Sequence, residues 1–170
     1  MTILQHVVDI VAPWKQRYDD STNLQTAVVA VHLTALLVGG GLAIAADRAT
    51  LRVGGRDGDA RARQLDEIGN VHRPVLIALA ALFVSGLALT AADLETYIAS
   101  PVYWIKFGFI VLLLANGVIM TRTEQALHRA SAGDTSRLDA LWRRMRFNAW
   151  SSVALWITTL VLGTALVNNA

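Results

Sequence analysis

The feature that most constrains this chain is a predominantly apolar stretch from Leu24 to Ala46. An α-helix rises about 1.5 Å per residue, so about 20 apolar residues match the hydrocarbon thickness of a bilayer. The stretch contains one titratable side chain, His32, and a run of three glycines from Gly39 to Gly41. It therefore predicts a membrane-spanning helix that carries a polar group and small residues inside the membrane.

Three further apolar stretches of similar length follow, at residues 74–92, 102–121 and 148–167. Charged residues make up only 16% of the 170 residues and hydrophobic residues 54%, whereas an ordinary soluble domain has about 25% charged residues. The pattern predicts an all-α fold, an integral membrane antiparallel four-helix bundle in contact with the lipid bilayer. We expect residues 1–170 to form a single membrane domain with spans at about 24–46, 74–92, 102–121 and 148–167.

The first twenty residues form a separate amphipathic segment. Apolar residues recur there at helical spacing, which predicts a helix that ends near Pro13 and is too short to span a membrane. The segment lacks the basic start and apolar core of a secretory signal. We interpret residues 1–20 as an interfacial helix with Trp14 and Tyr18 at headgroup level. The alternative is a helix that packs on the bundle or on a partner.

Polar segments connect the spans. Residues 47–73 contain Gly54 and Gly55, which predict a flexible turn between helical ends, and residues 93–100 predict a short loop. In the polar stretch 122–147, Gly133 predicts a break and Asp134 an N-cap for the helix that enters the fourth span.

The distribution of arginine predicts the orientation in the membrane. Loops rich in Lys and Arg remain in the cytoplasm, and the loop 93–100 contains neither residue. The arginine-rich loops are therefore predicted to be cytoplasmic, with both termini and the loop 93–100 outside. Their arginines are Arg48, Arg52, Arg56, Arg61, Arg63 and Arg73 in the first loop and Arg122, Arg129, Arg137, Arg143, Arg144 and Arg146 in the second.

Two ionisable side chains lie within the predicted spans, His32 in the first and Lys106 in the third. Such groups are costly in lipid and usually face the bundle interior. Both spans run inward and both residues fall in the outer half, with Lys106 about 5–8 Å above the midplane. The positions predict that His32 and Lys106 can meet or share a ligand. The simpler alternatives are a hydrogen bond from His32 to a neighbouring helix and a Lys106 side chain that extends to the outer headgroups.

Haem b is a cofactor that an intramembrane histidine can bind. Ligation by two histidines of one chain requires both at one depth, but His72 lies at the inner boundary, roughly 20 Å from His32 along the membrane normal. His6 and His128 lie outside the spans on opposite sides. A haem site would therefore use His32 as the single histidine ligand, with Lys106 near a propionate or as a second axial group.

Gly39 and Gly40 admit two interpretations. They lie near the face of the first span that carries His32, Gly39 directly on it, and small residues allow helices to approach closely in lipid. The same positions could make room for a flat cofactor. Packing is the simpler explanation, and we retain Gly39 and Gly40 with His32 and Lys106 as candidate cofactor-binding residues.

Other polar and aromatic residues have ordinary explanations. Asn116 lies in the inner half of the third span, and the cluster Asp47, Arg48, His72 and Arg73 at the inner boundary is interpreted as interfacial charge. Tryptophans near the span ends predict interface anchors, namely Trp104, Trp142 and Trp150.

The sequence contains no recognisable catalytic motif. It has no cysteine, which excludes disulfides, iron–sulfur clusters and thiolate metal sites. We find no pairing of nucleophile and base, no metal-ligand cluster, no P-loop and no dinucleotide fingerprint. Because topology explains the arginines, no nucleic-acid partner is predicted.

Two segments carry a resemblance to known proteins, the first span with its following residues (VHLTALLVGGGLAIAADRATLR) and residues 93–124. They resemble small bacterial four-span membrane proteins of unknown function, which are distantly similar to the membrane domain of copper-resistance protein D and to protoporphyrinogen oxidase of the HemJ type. The shared features are His32 followed by Gly39 and Gly40, and a third span that begins with Pro101 and carries Lys106. The resemblance implies a bacterial inner membrane location and a porphyrin-type ligand near His32 and Lys106. Copper transport is not expected, because the only methionines are Met1, Met120 and Met145.

Two functions of different class follow from the sequence. The first is a non-catalytic accessory or structural subunit, bound to other membrane subunits of a larger redox or photosynthetic complex. The second is a haem- or porphyrin-binding redox protein or oxidase that uses His32 and Lys106.

Overall fold

A computed structural model gives the architecture of residues 3–53, 58–130 and 134–168. These residues form six helices and, within those three ranges, no strand. Four are long and two are short. In chain order they are α1 (Ile3–Asp19), α2 (Thr22–Arg52), α3 (Gly58–Ala92), α4 (Leu94–Ala99), α5 (Pro101–Arg129) and α6 (Thr135–Asn168). The predicted all-α membrane helical bundle is confirmed.

The four long helices, α2, α3, α5 and α6, are each long and apolar enough to cross a membrane. Their large apolar side chains point outward to a degree that soluble proteins avoid; for example, Leu37 is 75% exposed and Ile77 72%. An outer surface of this kind suits lipid as the solvent. The chain is therefore a multi-span membrane protein.

The long helices pack as two antiparallel hairpins, α2 with α3 and α5 with α6, and contact between α2 and α6 joins the hairpins. Antiparallel hairpins follow from the short connections between consecutive helices. The bundle therefore has two ends. The end formed by residues 47–53, 58–73, 122–130 and 134–147 is called the arginine-rich end, and the opposite end, where α4 lies, is called the α4 end.

The best-packed part of the bundle is its arginine-rich end. Ile68 of α3, Leu127 of α5 and Trp142 and Met145 of α6 form the hydrophobic core there, and Met145 is fully buried. Arg61 lies over the Trp142 ring, 5.4 Å from its centroid, and donates a 2.9 Å hydrogen bond to Asp139. Trp142 is thus 4% exposed, and its interpretation as an interface anchor was wrong, because the helices continue and close around it.

Helix α1 does not end at Pro13, as the sequence had suggested, but continues to Asp19. Proline removes one backbone hydrogen bond, and contacts with α3 offset this loss. The Trp14 indole N–H donates to the Ala88 carbonyl at 2.8 Å, and the Lys15 ammonium donates to the Ala92 carbonyl at 3.1 Å. The helix therefore packs on the α4 end of the bundle, and its position in the membrane interface stays a prediction.

The connecting segments are more helical than their polarity indicates. Helix α2 continues to Arg52, α5 continues to Arg129, and the predicted loop 93–100 contains the short helix α4. Asp134 accepts a 3.1 Å hydrogen bond from the backbone N–H of Arg137, which confirms the predicted N-cap. The turn at Gly54 and Gly55 and the break at Gly133 lie outside the described residues.

Candidate functional site

His32 faces α3 near the α4 end of the bundle. Its Nδ1 lies 2.9 Å from the Ser85 Oγ, and the ring also lies beside Gly86, where a Cβ would meet the His32 Cε1 at 3.5 Å. Both neighbours are small, and Ser85 is 5% exposed. The imidazole therefore fits into a shallow gap between α2 and α3 that larger side chains would fill.

The hydrogen bonds of Ser85 determine which nitrogen of His32 carries the proton. The Ser85 hydroxyl donates to the Ala81 carbonyl at 2.6 Å. The Ser85 oxygen can then only accept from His32, so in the neutral ring Nδ1 is the donor and Nε2 keeps its lone pair. No hydrogen bond to Nε2 is found among the described residues. A histidine held through Nδ1 with a free Nε2 has the arrangement that metal-bound histidines use.

Lys106 lies at the same level of the bundle, on α5. Its Nζ is 3.4 Å from the position that a Cβ would occupy on Gly163 of α6, so the side chain extends across the face of that glycine. The structure thus places the two candidate residues in the same half of the bundle. Their shared ligand stays a prediction.

Neither His72 nor His128 approaches His32. His72 lies on α3 thirteen residues before Ser85, which is roughly 20 Å along a helix. His128 is at the arginine-rich end, where its Nε2 is 4.0 Å from Glu124. The described residues contain no group of three or more His, Cys, Asp or Glu side chains that could hold a metal ion.

Gly39 and Gly40 are both covered by neighbouring helices. A Cβ on Gly39 would lie 2.7 Å from the Ala78 Cβ of α3, and one on Gly40 would lie 3.2 Å from the Trp156 ring of α6. The two glycines therefore allow α2 to approach α3 and α6 closely, which is the packing explanation. Neither glycine leaves the open face that a flat cofactor would need.

A second polar group, which the sequence analysis did not identify as a site, lies toward the arginine-rich end. Asp47 is only 2% exposed, and the Ser152 side chain of α6 lies close to its carboxylate. Its interpretation as interfacial charge was wrong, because α2 continues past it and α6 covers it. Its place seven residues after Gly40, on the same helical face, could have indicated this burial.

Other uncharged polar side chains are also buried toward this end of the bundle. Gln64 of α3 donates to the Thr50 hydroxyl at 3.1 Å, and the Asn116 amide of α5 donates to the Asn148 carbonyl of α6 at 3.1 Å. Three buried atoms on these helices have no hydrogen-bond partner among the described residues: Asp47 Oδ2, Asn148 Nδ2 and Thr159 Oγ1.

Comparisons of the chain with protein-family models, with curated proteins and with solved structures found no match. The functional assignment therefore depends on the residues and contacts described above.

Proposed function

We propose that this multi-span membrane protein is a non-catalytic subunit that binds a transmembrane helix of another membrane protein. The observation that carries the proposal is an open groove of about 320 Å³ between α2 and α3 at the arginine-rich end. Small or apolar side chains form most of its wall. The lining residues are Leu42, Ala45, Ala46, Ala49, Glu67, Asn70 and Val71.

The α2 side of this groove suits close helix packing. Gly41, Ala45 and Ala49 recur at intervals of four residues, so they share one face of α2. A Cβ on Gly41 would meet nothing within 4 Å, which marks an unoccupied surface. Small residues at this spacing favour helix association in lipid because they allow the backbones to approach.

The α3 side of the groove adds a charge that selects the partner. Glu67 lines the groove, is exposed, and forms no ion pair within the described residues. Under the predicted orientation it lies at the cytoplasmic boundary, where spanning helices carry Lys and Arg. The groove therefore suits a helix with small residues and a basic residue near its cytoplasmic end.

The experiment measures the size of the complex in membranes solubilised with mild detergent. Wild-type protein should migrate as a complex larger than the monomer and contain a second transmembrane protein. Ala45→Leu should weaken the association roughly 5- to 100-fold, because overpacking costs about 1–3 kcal/mol, and Glu67→Lys should release the partner by charge repulsion.

Matched controls use the same substitutions on other surfaces. Ala115→Leu on the exposed face of α5 and Asp66→Lys beside Glu67 should leave the complex intact. A wild-type protein that migrates as a monomer, or as copies of itself alone, would contradict the proposal.

A second candidate function, haem or porphyrin binding in a redox protein, is favoured by the free Nε2 of His32. The donor set fits an axial histidine held through Nδ1, with Lys106 available to pair with a carboxylate of the ligand. Gly39 and Gly40 do not fit this role, since Ala78 and Trp156 cover them. Haem b, if bound, would supply one-electron redox chemistry at its iron.

Absorption spectroscopy of the purified chain, oxidised and then reduced with dithionite, tests this second candidate. A haem spectrum that His32→Ala abolishes, and that Lys106→Met shifts or weakens, would support it. A colourless protein that is folded by circular dichroism would contradict it and leave His32 as a residue that joins α2 to α3.

A further inference from the structure

A buried carboxylate without a charged partner among the described residues lies on α2, on the side that α6 covers. Asp47 is 2% exposed, within a helix long and apolar enough to cross a membrane. Ionised side chains are very unfavourable in such surroundings unless a charge of opposite sign neutralises them. An ionised Asp47 therefore needs a positively charged neighbour or a bound cation.

None of the side chains that the structure describes around Asp47 supplies a positive charge. On α6, the neighbour of its carboxylate is the uncharged Ser152. On α3, the Gln64 amide is directed to the Ala46 carbonyl and the Thr50 hydroxyl. Asn116 of α5 is directed to the Asn148 carbonyl, and Arg48, the next residue on α2, is exposed.

The same place has unused hydrogen-bonding capacity. Asp47 Oδ2 and Asn148 Nδ2 have no partner although their residues are 2% and 4% exposed. Asn148 is one helical turn before Ser152, so both lie on the α6 face that covers Asp47. Buried polar atoms are nearly always paired, so the unpaired Oδ2 of an uncompensated carboxylate indicates a missing positive partner. The Asn148 Nδ2 is a donor and does not itself bind a cation.

We propose that Asp47 is the centre of a monocation-binding site in which a proton or a sodium-sized cation neutralises the carboxylate. Asp47 Oδ2 receives the cation, and the Ser152 side chain of α6 lies close to the carboxylate. The oxygen atoms of carboxylate, hydroxyl and amide groups are ligands that hard cations prefer. A proton on Oδ2 would convert the carboxylate into a donor with the same net effect on charge.

The experiment compares the thermal stability of the full-length protein in detergent under two titrations. In the first, sodium replaces choline at constant ionic strength and fixed pH. A ligand that binds only the folded state raises the Tm, by about 5 °C at roughly 100-fold excess over its Kd. In the second, pH is lowered without sodium. If Asp47 binds a proton more tightly in the folded state than in the unfolded state, the free energy of unfolding rises as pH falls.

Two variants separate Asp47 from the other carboxylates. Asp47→Asn removes the negative charge at nearly the same size, so the response to sodium should disappear, and the rise in stability with falling pH that Asp47 contributes should be lost relative to wild type. Asp66→Asn, on the exposed surface of α3 at the same end, should respond as the wild type does. A sodium response identifies a metal cation, and a pH response without a sodium response identifies a proton.

The proposal is overturned if the wild-type Tm is flat in both titrations, a result that does not depend on the folding of any variant. It is also overturned if wild type and Asp47→Asn respond equally. Neither readout depends on the partner helix or on haem, so the result is distinguishable from a failure of the proposed functions.

Discussion

At the scale of single residues, the sequence predicts which residues are candidates for a site, but it does not predict which residues on other helices they contact. His32 and Lys106 are recognisable because ionisable groups are rare inside apolar stretches. The Ser85 hydroxyl that holds His32, 53 positions away in the chain, depends on which helices are neighbours and on their register. The same limit applies to the glycines, whose covering groups, Ala78 and Trp156, belong to two other helices.

The glycine run gives a graded test of close packing. Gly39→Ala should destabilise the protein by about 1–3 kcal/mol, because its Cβ would lie 2.7 Å from the Ala78 Cβ. Gly40→Ala should cost less, since the Trp156 ring at 3.2 Å needs to move by only a few tenths of an ångström. Thermal unfolding in detergent measures both changes.

Gly41→Ala is the matched control. Its Cβ would meet nothing within 4 Å, and alanine favours a helix over glycine by about 1 kcal/mol, so the Tm should stay equal or rise. Equal effects at all three positions would show that α2 does not pack as described.

At the scale of helices, hydropathy located the four spans but underestimated their lengths. Helix α3 begins at Gly58, whereas its apolar part begins near Pro74. The additional turns are polar enough to resemble a loop, and they are helical because their apolar minority, including Ile68, packs in the core at the arginine-rich end. A window that averages hydropathy cannot detect such a narrow apolar face.

The N-cap of α6 gives a prediction that depends on pH. Hydrogen bonds from the Arg137 backbone N–H and the Ser136 hydroxyl keep the pKa of Asp134 below its ordinary value of 3.8. Because the pKa is lower in the folded state, ionised Asp134 stabilises the fold at any pH above the ordinary pKa of 3.8. This stabilisation is lost as pH falls through the pKa of the folded state. Asp134→Ala should therefore lower the Tm at neutral pH, with a smaller difference from wild type in acid.

Two comparisons check the origin of the Asp134 effect. Asp134→Asn keeps an oxygen for the Arg137 N–H, so it should retain most of the neutral-pH stability without the acid dependence. A Tm difference between wild type and Asp134→Ala that is independent of pH would rule out the carboxylate as its source.

The docking of α1 is a second prediction for the helices. Trp14→Phe keeps an aromatic ring but removes the hydrogen bond to the Ala88 carbonyl, a loss of about 1 kcal/mol. Amide hydrogen exchange in α1 should then become about 5-fold faster, because local opening depends on that free energy. Trp150→Phe, at a ring 64% exposed on α6, should leave exchange in α1 unchanged. Equal exchange in wild type and Trp14→Phe would mean that this hydrogen bond does not hold the helix.

At the scale of the whole molecule, the hydrophobic core lies at one end of the bundle and the candidate residues His32 and Lys106 lie toward the other. The fully buried side chains Met145 and Thr50 lie at the arginine-rich end, as does the hydrophobic core. His32 and Lys106 lie toward the α4 end, where they remain half-buried. The sequence could not predict this difference in burial between the two ends. Each apolar stretch is similarly hydrophobic along its length, and only the pairing of helices decides which residues face the core and which face lipid.

The last prediction is the orientation of the bundle in the membrane, with the arginine-rich end in the cytoplasm and the α4 end outside. The chain contains no cysteine, so a single introduced cysteine reports one position without background. Glu95→Cys in α4 and Ala140→Cys near the start of α6 are exposed sites at opposite ends. A membrane-impermeant maleimide should label the α4 cysteine in intact cells and the α6 cysteine only after permeabilisation, because arginine-rich loops remain cytoplasmic. The reverse pattern would place Glu67 and the α2–α3 groove outside, where a partner helix has no excess of basic residues, and would remove the charge-based part of the docking proposal.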